Sequence, residues 1–191
     1  MHSMKKKSKI LFVYPNERQM STIPPAIALL SQLLKQDGHL TDIFDTTFYE
    51  FEDDITQDDE LEGVDFSLQH RPTTEARNAH FDNVDDDELH FKKNKNNAAE
   101  DLRKKIIEFK PDLLAVSCSE TTFMRGLRLI SKTRDLGVKN VFGGVFPTFG
   151  PHLVMNFDDV DMCCIGEGEN AIVDLADRLA NSKEYSDVTN L

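Results

Sequence analysis

The residues whose types and spacing could do chemistry gather in three short stretches. Residues 166–170 read GEGEN, placing two glycines and two glutamates where an apolar run gives way to an amphipathic one. Residues 117–122 read SCSETT, in which five of six side chains carry a hydroxyl or a carboxylate, and residues 143–151 read GGVFPTFGP. Glycine lets the backbone approach a bulky ligand or adopt positive φ, while hydroxyls and the free amides of a helix start supply hydrogen bonds. A carboxylate at a helix start is also favoured by the dipole and accepts from those amides, so Glu167 and Glu169 suit a plain helix cap as well as a ligand. The repeated glycine is what a cap alone does not require. The chemistry indicated is the holding of a large molecule, and no residue is assigned a catalytic or metal-binding role. His70, His80 and His90 have no recognisable metal spacing, and His39 and His152 read as turn, packing or surface residues. Cys118 closes an apolar run and could face a ligand, but buried thiols are more often packing residues.

These stretches need elements to position them, and the rest of the chain supplies a regular alternation. Short, almost wholly apolar runs at 9–14 (KILFVY), 41–45, 112–118, 138–144 and 160–166 read as strands. Between and after them lie amphipathic helical patterns at 26–38, 98–110, 122–136 and 170–180. Gly38, Pro111 and Gly137 stop the first three. Continuous rather than alternating apolarity implies strands buried on both faces, as parallel strands covered by helices are. The expected fold is therefore α/β, a doubly wound five-stranded parallel sheet that is flavodoxin-like, strand order 2-1-3-4-5, with a long acidic insert after strand 2. In such sheets ligands bind beyond the carboxyl ends of the strands. All three chemistry-bearing stretches fall there, although βα turns use Ser, Thr, Gly and Asp in any protein of this class.

Charge sets the organisation and excludes some partners. The 191 residues contain 22 Lys and Arg against 34 Asp and Glu, a net charge of −12. Residues 45–96 hold 16 acidic and 5 basic residues, so this segment carries −11 of that total. The insert, about 46–96, reads as a solvated excursion with a short helix near 75–81, or as a lid or a contact for another domain. So acidic a chain argues against a nucleic-acid partner. The N-terminal apolar run is too short to span a membrane and lacks a cleavage site, which predicts a cytoplasmic protein. Three cysteines, Cys118, Cys163 and Cys164, read as free thiols.

Four segments together carry a resemblance: PPAIALLSQLLKQDGH, DLLAVSCSETTF, NVFGGVFPTFGPHLV and VDMCCIGEGENAIVDLADRL. Over about residues 10–179, apart from the insert, the chain resembles the N-terminal cobalamin (B12)-binding domain of cobalamin-dependent radical SAM enzymes. That family shows a PP-x-G-L-x-x-L-A pattern at the first helix, GG-x-H-P-T after strand 4 and D-x-x-x-x-G-E-G-E through strand 5. Here the matching positions are Pro24 to Ala28, then Gly143, Gly144, Val145, Phe146, Pro147 and Thr148, then Asp161 with Gly166, Glu167, Gly168 and Glu169. The resemblance implies that these rim residues, with Asn16, Ser117, Ser119, Glu120 and Thr121, contact cobalamin. Phe146 stands where relatives have histidine. The chain also lacks Asp-x-His-x-x-Gly, so the resemblance implies base-off cobalamin, without a histidine lower ligand and with the dimethylbenzimidazole tail threaded beside the sheet. Asn16, Glu17 and Arg18 are the nearest candidates for the lower face. Cys-x-x-x-Cys-x-x-Cys is absent, so S-adenosylmethionine and a [4Fe-4S] cluster would belong to a radical SAM catalytic domain missing from this chain, the expected partner.

The implied organisation is an N-terminal tail (1–8), the binding domain (9–181) and the start of a linker (182–191). Two other readings stay open: a flavodoxin-like domain for FMN or another nucleotide, and a receiver-like protein-interaction domain without cofactor. The first wants a phosphate-cradling loop after strand 1, where PNERQMSTIPP stands. The second wants an acidic pair there and an Asp at the end of strand 3, where Tyr14, Pro15 and Ser117 stand.

Overall fold

The fold is that of a computed structural model, which describes residues 6–16, 24–49 and 94–191. The short helix expected near 75–81, Glu17, Arg18 and most of the insert lie outside the described residues. Five parallel strands, β1 (Lys9–Tyr14), β2 (Leu40–Asp45), β3 (Leu113–Ser117), β4 (Lys139–Gly143) and β5 (Met162–Cys163), form one sheet in the order β2-β1-β3-β4-β5. The expected order is observed. The strand expected over 160–166 shortens to two residues, because Asp161 leaves the ladder to bind side chains and Cys164 begins the rim loop.

Strand parity divides the core in two. Leu11, Val13, Leu114, Val116, Phe142 and Cys163 face α2 (Ala98–Phe109) and α3 (Glu120–Ser131). Ile10, Phe12, Leu113, Ala115, Val141 and Met162 face α1 (Pro25–Gln36) and α6 (Glu169–Ala180). Successive side chains of a strand point to opposite sides, so an apolar run buries both faces only when each is covered by helices. Two short helices, α4 (Val145–Phe149) and α5 (Pro151–Val154), follow β4.

Local chemistry sets the helix ends. Pro25 opens α1 at a position whose N–H needs no partner. Asn97 caps α2, its Oδ1 accepting from Ala99 N at 3.0 Å and Glu100 N at 3.2 Å, and left-handed Lys110 (φ 53°) ends it. The helix expected over 122–136 starts earlier, at Glu120, and breaks at Ser131. There Thr133 Oγ1 donates to the carbonyls of Leu129 and Ile130 and the chain tightens into a 3-10 turn, Arg134–Leu136.

At the amino edge of the sheet, Asp161 joins β4 to β5. Its carboxylate accepts from Arg134 at 2.7 and 2.9 Å, Lys139 at 3.1 Å, and the backbone and side-chain nitrogens of Asn140 at 2.9 and 3.0 Å. Burial alone would raise its pKa, but the Arg134 guanidinium, the Asn140 N–H and Lys139 outweigh that and hold the carboxyl below its ordinary range. Asp161 therefore belongs to the scaffold, at the end of β5 opposite the rim.

Candidate functional site

The carboxyl ends of β3, β4 and β5 meet through specific bonds. Cys118 N–H donates to Gly143 O at 3.0 Å, joining the first two ends. Thr148 Oγ1 donates to Gly144 O at 2.8 Å and accepts from Gly166 N–H at 3.0 Å, tying the β4 loop to the β5 loop. Gly144 makes the closeness possible: at φ +111° a Cβ would lie 2.4 Å from Cys118 O, so no other residue fits unless the backbone moves.

Beneath this rim, on the α1 and α6 side, the sheet is hollowed by small residues. Phe12, Ala115, Val141 and Met162 lie in one register row across β1, β3, β4 and β5. One row nearer the rim, Ser117 pairs with Gly143, and Cys164 follows where its N–H donates to Phe142 O at 2.8 Å. Small Ala115 in the inner row and Ser117 and Gly143 in the row above leave a trough roofed by Ala26, Leu29 and Leu30 of α1 and Ala171, Ile172 and Leu175 of α6. The cleft opens to solvent, and the free space in it and at its open mouth together is about 780 Å³. Among the described residues, Ser117, Glu167 and Glu169 supply its only polar side chains besides Cys164. Such a space suits an apolar, flat group whose polar attachment stays at the opening.

The structure sorts the sequence-expected residues into three groups. Ser117, Gly143, Gly144, Gly166, Glu167, Gly168 and Glu169 line the cleft. Glu120, Thr121 and Val145 are exposed on the rim beside it, Ser119 opens α3 with its N–H on Thr122 Oγ1 at 3.0 Å, and Thr148 fastens the two loops. Asn16, Phe146 and Pro147 turn away from the cleft. Asn16 is buried, its Nδ2 donates to Thr47 Oγ1 at 2.9 Å, and its carbonyl accepts from Thr46 Oγ1 and Arg125. Phe146 packs on Phe123 with centroids 4.9 Å apart, inside an aromatic group with Phe142 and Phe157, and Pro147 is buried beneath it. Phe146 thus replaces a polar residue with core packing, at no loss to the cleft lining.

Cys118 packs in the core, the commoner role of a buried thiol. It points to the α2 and α3 face, away from the cleft. Phe12, Ala26, Leu30, Ala115 and Cys164 line the site although the loops alone did not indicate them; the available signal was the small residue at alternate positions of β3 and β4. The three thiols are free, and burial favours their protonated form: it pushes Cys163 up to about 11 and raises Cys118 and Cys164 as well. Cys163 packs on one face of the sheet and Cys164 on the other.

One further cluster lies at the opposite, amino edge. Buried His39 has Nε2 at 3.3 Å from Asp37 Oδ2 and 3.4 Å from Asp177 Oδ1. Its Nδ1 accepts the Ser8 N–H at 3.1 Å, which places the proton of the neutral ring on Nε2. The nitrogen between the carboxylates is then a donor rather than a lone pair, and it lies too far from good geometry to hydrogen-bond either carboxylate.

A doubly wound parallel domain with a glycine-edged apolar cleft at its carboxyl rim defines a flavodoxin-like ligand-binding domain. The profile of the family described as "B12 binding domain" matches residues 76–176, just over half of the 191 residues. The chain belongs to the B12-binding domain family. Its fold is similar to that of the radical S-adenosylmethionine methyltransferase TsrM from Kitasatospora setae, solved with tryptophan substrate and a SAM analogue bound, at TM-score 0.62 and 16% identity over 96% of this chain. The same enzyme solved with cobalamin and a [4Fe-4S] cluster bound gives TM-score 0.60 and 15% identity over the same share. The chain spans 28% of the length of those solved chains. No curated protein matches it.

Proposed function

We propose that this chain is the cobalamin-binding module of a cobalamin-dependent radical SAM enzyme, holding the cofactor base-off at the carboxyl rim. The observation that carries the reading is the cleft: an apolar, small-residue trough beneath the β3, β4 and β5 loops of a B12-binding family member. A dimethylbenzimidazole tail matches it in chemistry, being flat and apolar with its polar phosphoribosyl link toward the opening. Ser117, Gly143, Gly144 and the 166–169 loop would receive the tail and its link, with Glu120, Thr121, Val145 and Thr148 on the surrounding rim. When bound, cobalamin supplies a cobalt centre able to carry a methyl group or assist radical chemistry.

The protein's own contribution is binding, orientation and exclusion of water. Glycines at the rim let a broad ring approach backbone, and the apolar walls keep the tail away from solvent. The absence of a histidine lower ligand is supported by the placement of the two described histidines. His39 is buried at the amino edge, and His152 is exposed on α5, outside the cleft lining. The catalytic partner would be a radical SAM domain bearing the cluster and S-adenosylmethionine, by analogy with the TsrM structures. A cytoplasmic setting accords with three free thiols, and no helix among the described residues is long and apolar enough to cross a membrane. The net charge of −12 argues against a nucleic-acid partner.

Mixing the purified chain with hydroxocobalamin, desalting and recording the visible spectrum tests the proposal. Retained colour with a base-off spectrum is expected. A colourless protein, or a spectrum of histidine-coordinated cobalt, overturns it; FMN retained in place of the corrinoid moves the site to another cofactor class.

A further inference from the structure

The segment after α6 packs back onto the rim. Arg178 anchors its start, Nη1 donating to Glu184 O at 2.9 Å and pairing with Asp187. Tyr185 packs on the α1 and α6 core, Val188 is 4% exposed, and the chain then reaches the loop after β5. There the Ile165 N–H donates to Asn190 O at 2.8 Å, and Asn190 Nδ2 donates to Glu167 O at 2.9 Å. Asn190 adopts φ +71°, a left-handed conformation that asparagine tolerates far better than most residues. These features turn the backbone so that the Leu191 side chain lines the cleft.

We infer that residues 184–191 form a wall of the binding cleft, a strap whose seating on the 165–167 loop sets how firmly the apolar end of the ligand is held. The inference rests on the proposed cobalamin reading and adds a binding determinant outside the strand ends. Leu191 extends the apolar lining where the sheet offers the small Ser117, Gly143 and Cys164. Asn190 satisfies two backbone groups of the loop, so neither Ile165 N–H nor Glu167 O is left bare beside an apolar ligand. The strap therefore favours a tail that is apolar and flat over one that is charged.

The test uses the full chain with two substitutions, Asn190→Gly and Leu191→Asp. The first keeps the left-handed backbone and removes only the side-chain bond; the second sets a carboxylate at the cleft mouth. Each is titrated with hydroxocobalamin and with cobinamide, the corrinoid that lacks the nucleotide tail. Asn190→Gly should weaken cobalamin binding about fivefold, the worth of one hydrogen bond, and Leu191→Asp by at least about tenfold. Cobinamide affinity should be unchanged in both. Wild-type cobalamin affinity in both variants overturns the inference, as does equal weakening of cobinamide, which would place the strap's effect on the corrin or on the fold. Failure of the wild-type chain to bind either corrinoid overturns instead the cobalamin reading beneath it. Melting temperatures within a few degrees of wild type confirm that each variant is folded, and Asn190→Gly alone carries the comparison if Leu191→Asp is not.

Discussion

Filling the trough from within separates a ligand site from a mere gap in packing, and Gly143→Leu is the substitution that does so. Gly143 lies in the rim row of β4 with its missing side chain directed at the cleft. A Cβ there would meet only Cys164 Cβ, at 3.7 Å, and the backbone is not in the left-handed region. The Cβ of a leucine therefore meets no clash, and the rest of its side chain is directed at the cleft. It adds four carbons at about 0.8 kcal/mol per buried methylene and removes a strand-glycine penalty of about 0.5–1 kcal/mol, so stability should hold or rise. A ligand loses the same space. An aromatic group of about 150–250 Å² buried at about 25 cal/mol/Å² contributes about 4–6 kcal/mol, and displacing half of it costs about 2–3 kcal/mol, a weakening of ~30- to 150-fold. Calorimetric titration with hydroxocobalamin, beside a thermal melt, measures both quantities. A folded Gly143→Leu variant binding cobalamin as tightly as wild type would refute the assignment of the tail to this cleft.

Three other outcomes follow from the same geometry. Asp161→Asn should lower unfolding free energy by about 2–4 kcal/mol at pH 7, since it removes a buried carboxylate that five donors share. Because the folded-state pKa is depressed, this contribution is full above the unfolded value near pH 4 and fades as pH falls through the folded value. The gap between wild type and variant in urea melts should therefore narrow at pH 3, and a constant gap contradicts the account. Gly144→Ala, with its Cβ 2.4 Å from Cys118 O, should cost about 2–4 kcal/mol by denaturant titration; an unchanged midpoint would show that the β3 and β4 ends need not touch. Phe146→His should cost about 1–3 kcal/mol by opening the packing against Phe123, while cobalamin affinity, measured by the same calorimetry, stays within about twofold. A large affinity change there would place the side chain at the ligand after all.

The sheet was legible because apolar runs such as KILFVY and DLLAV can be satisfied only by two-sided burial, and that requirement dictates parallel strands under helices. β5 was legible in place but not in length, since Asp161 and Cys164 look continuous with the run until their partners are known. The loops of the rim were legible through glycine and hydroxyl content, and seven of the expected residues line the cleft. The cleft itself was hidden. Ala115 and Gly143 signal a hollow only when it is known which neighbours share their row, and that depends on register between segments far apart in the chain. Asn16 was only half legible for a related reason: its position at the end of β1 is visible in the sequence, but its bond to Thr47, 31 residues away, is not. The closing strap was equally invisible, because polar, turn-forming residues such as those of EYSDVTNL read the same whether they depart from a domain or fold against it.

The division of the core by strand parity also governs the sulfur chemistry. Cys163 and Cys164 are sequence neighbours, yet the β5 backbone stands between their side chains, one packed with α3 residues and the other beside Leu30. An oxidant cannot join them into an eight-membered ring unless the β4–β5 ladder first comes apart. Exposure to air should thus leave these two sequence neighbours unjoined, and peptide mapping of the oxidised protein should find no Cys163–Cys164 disulfide.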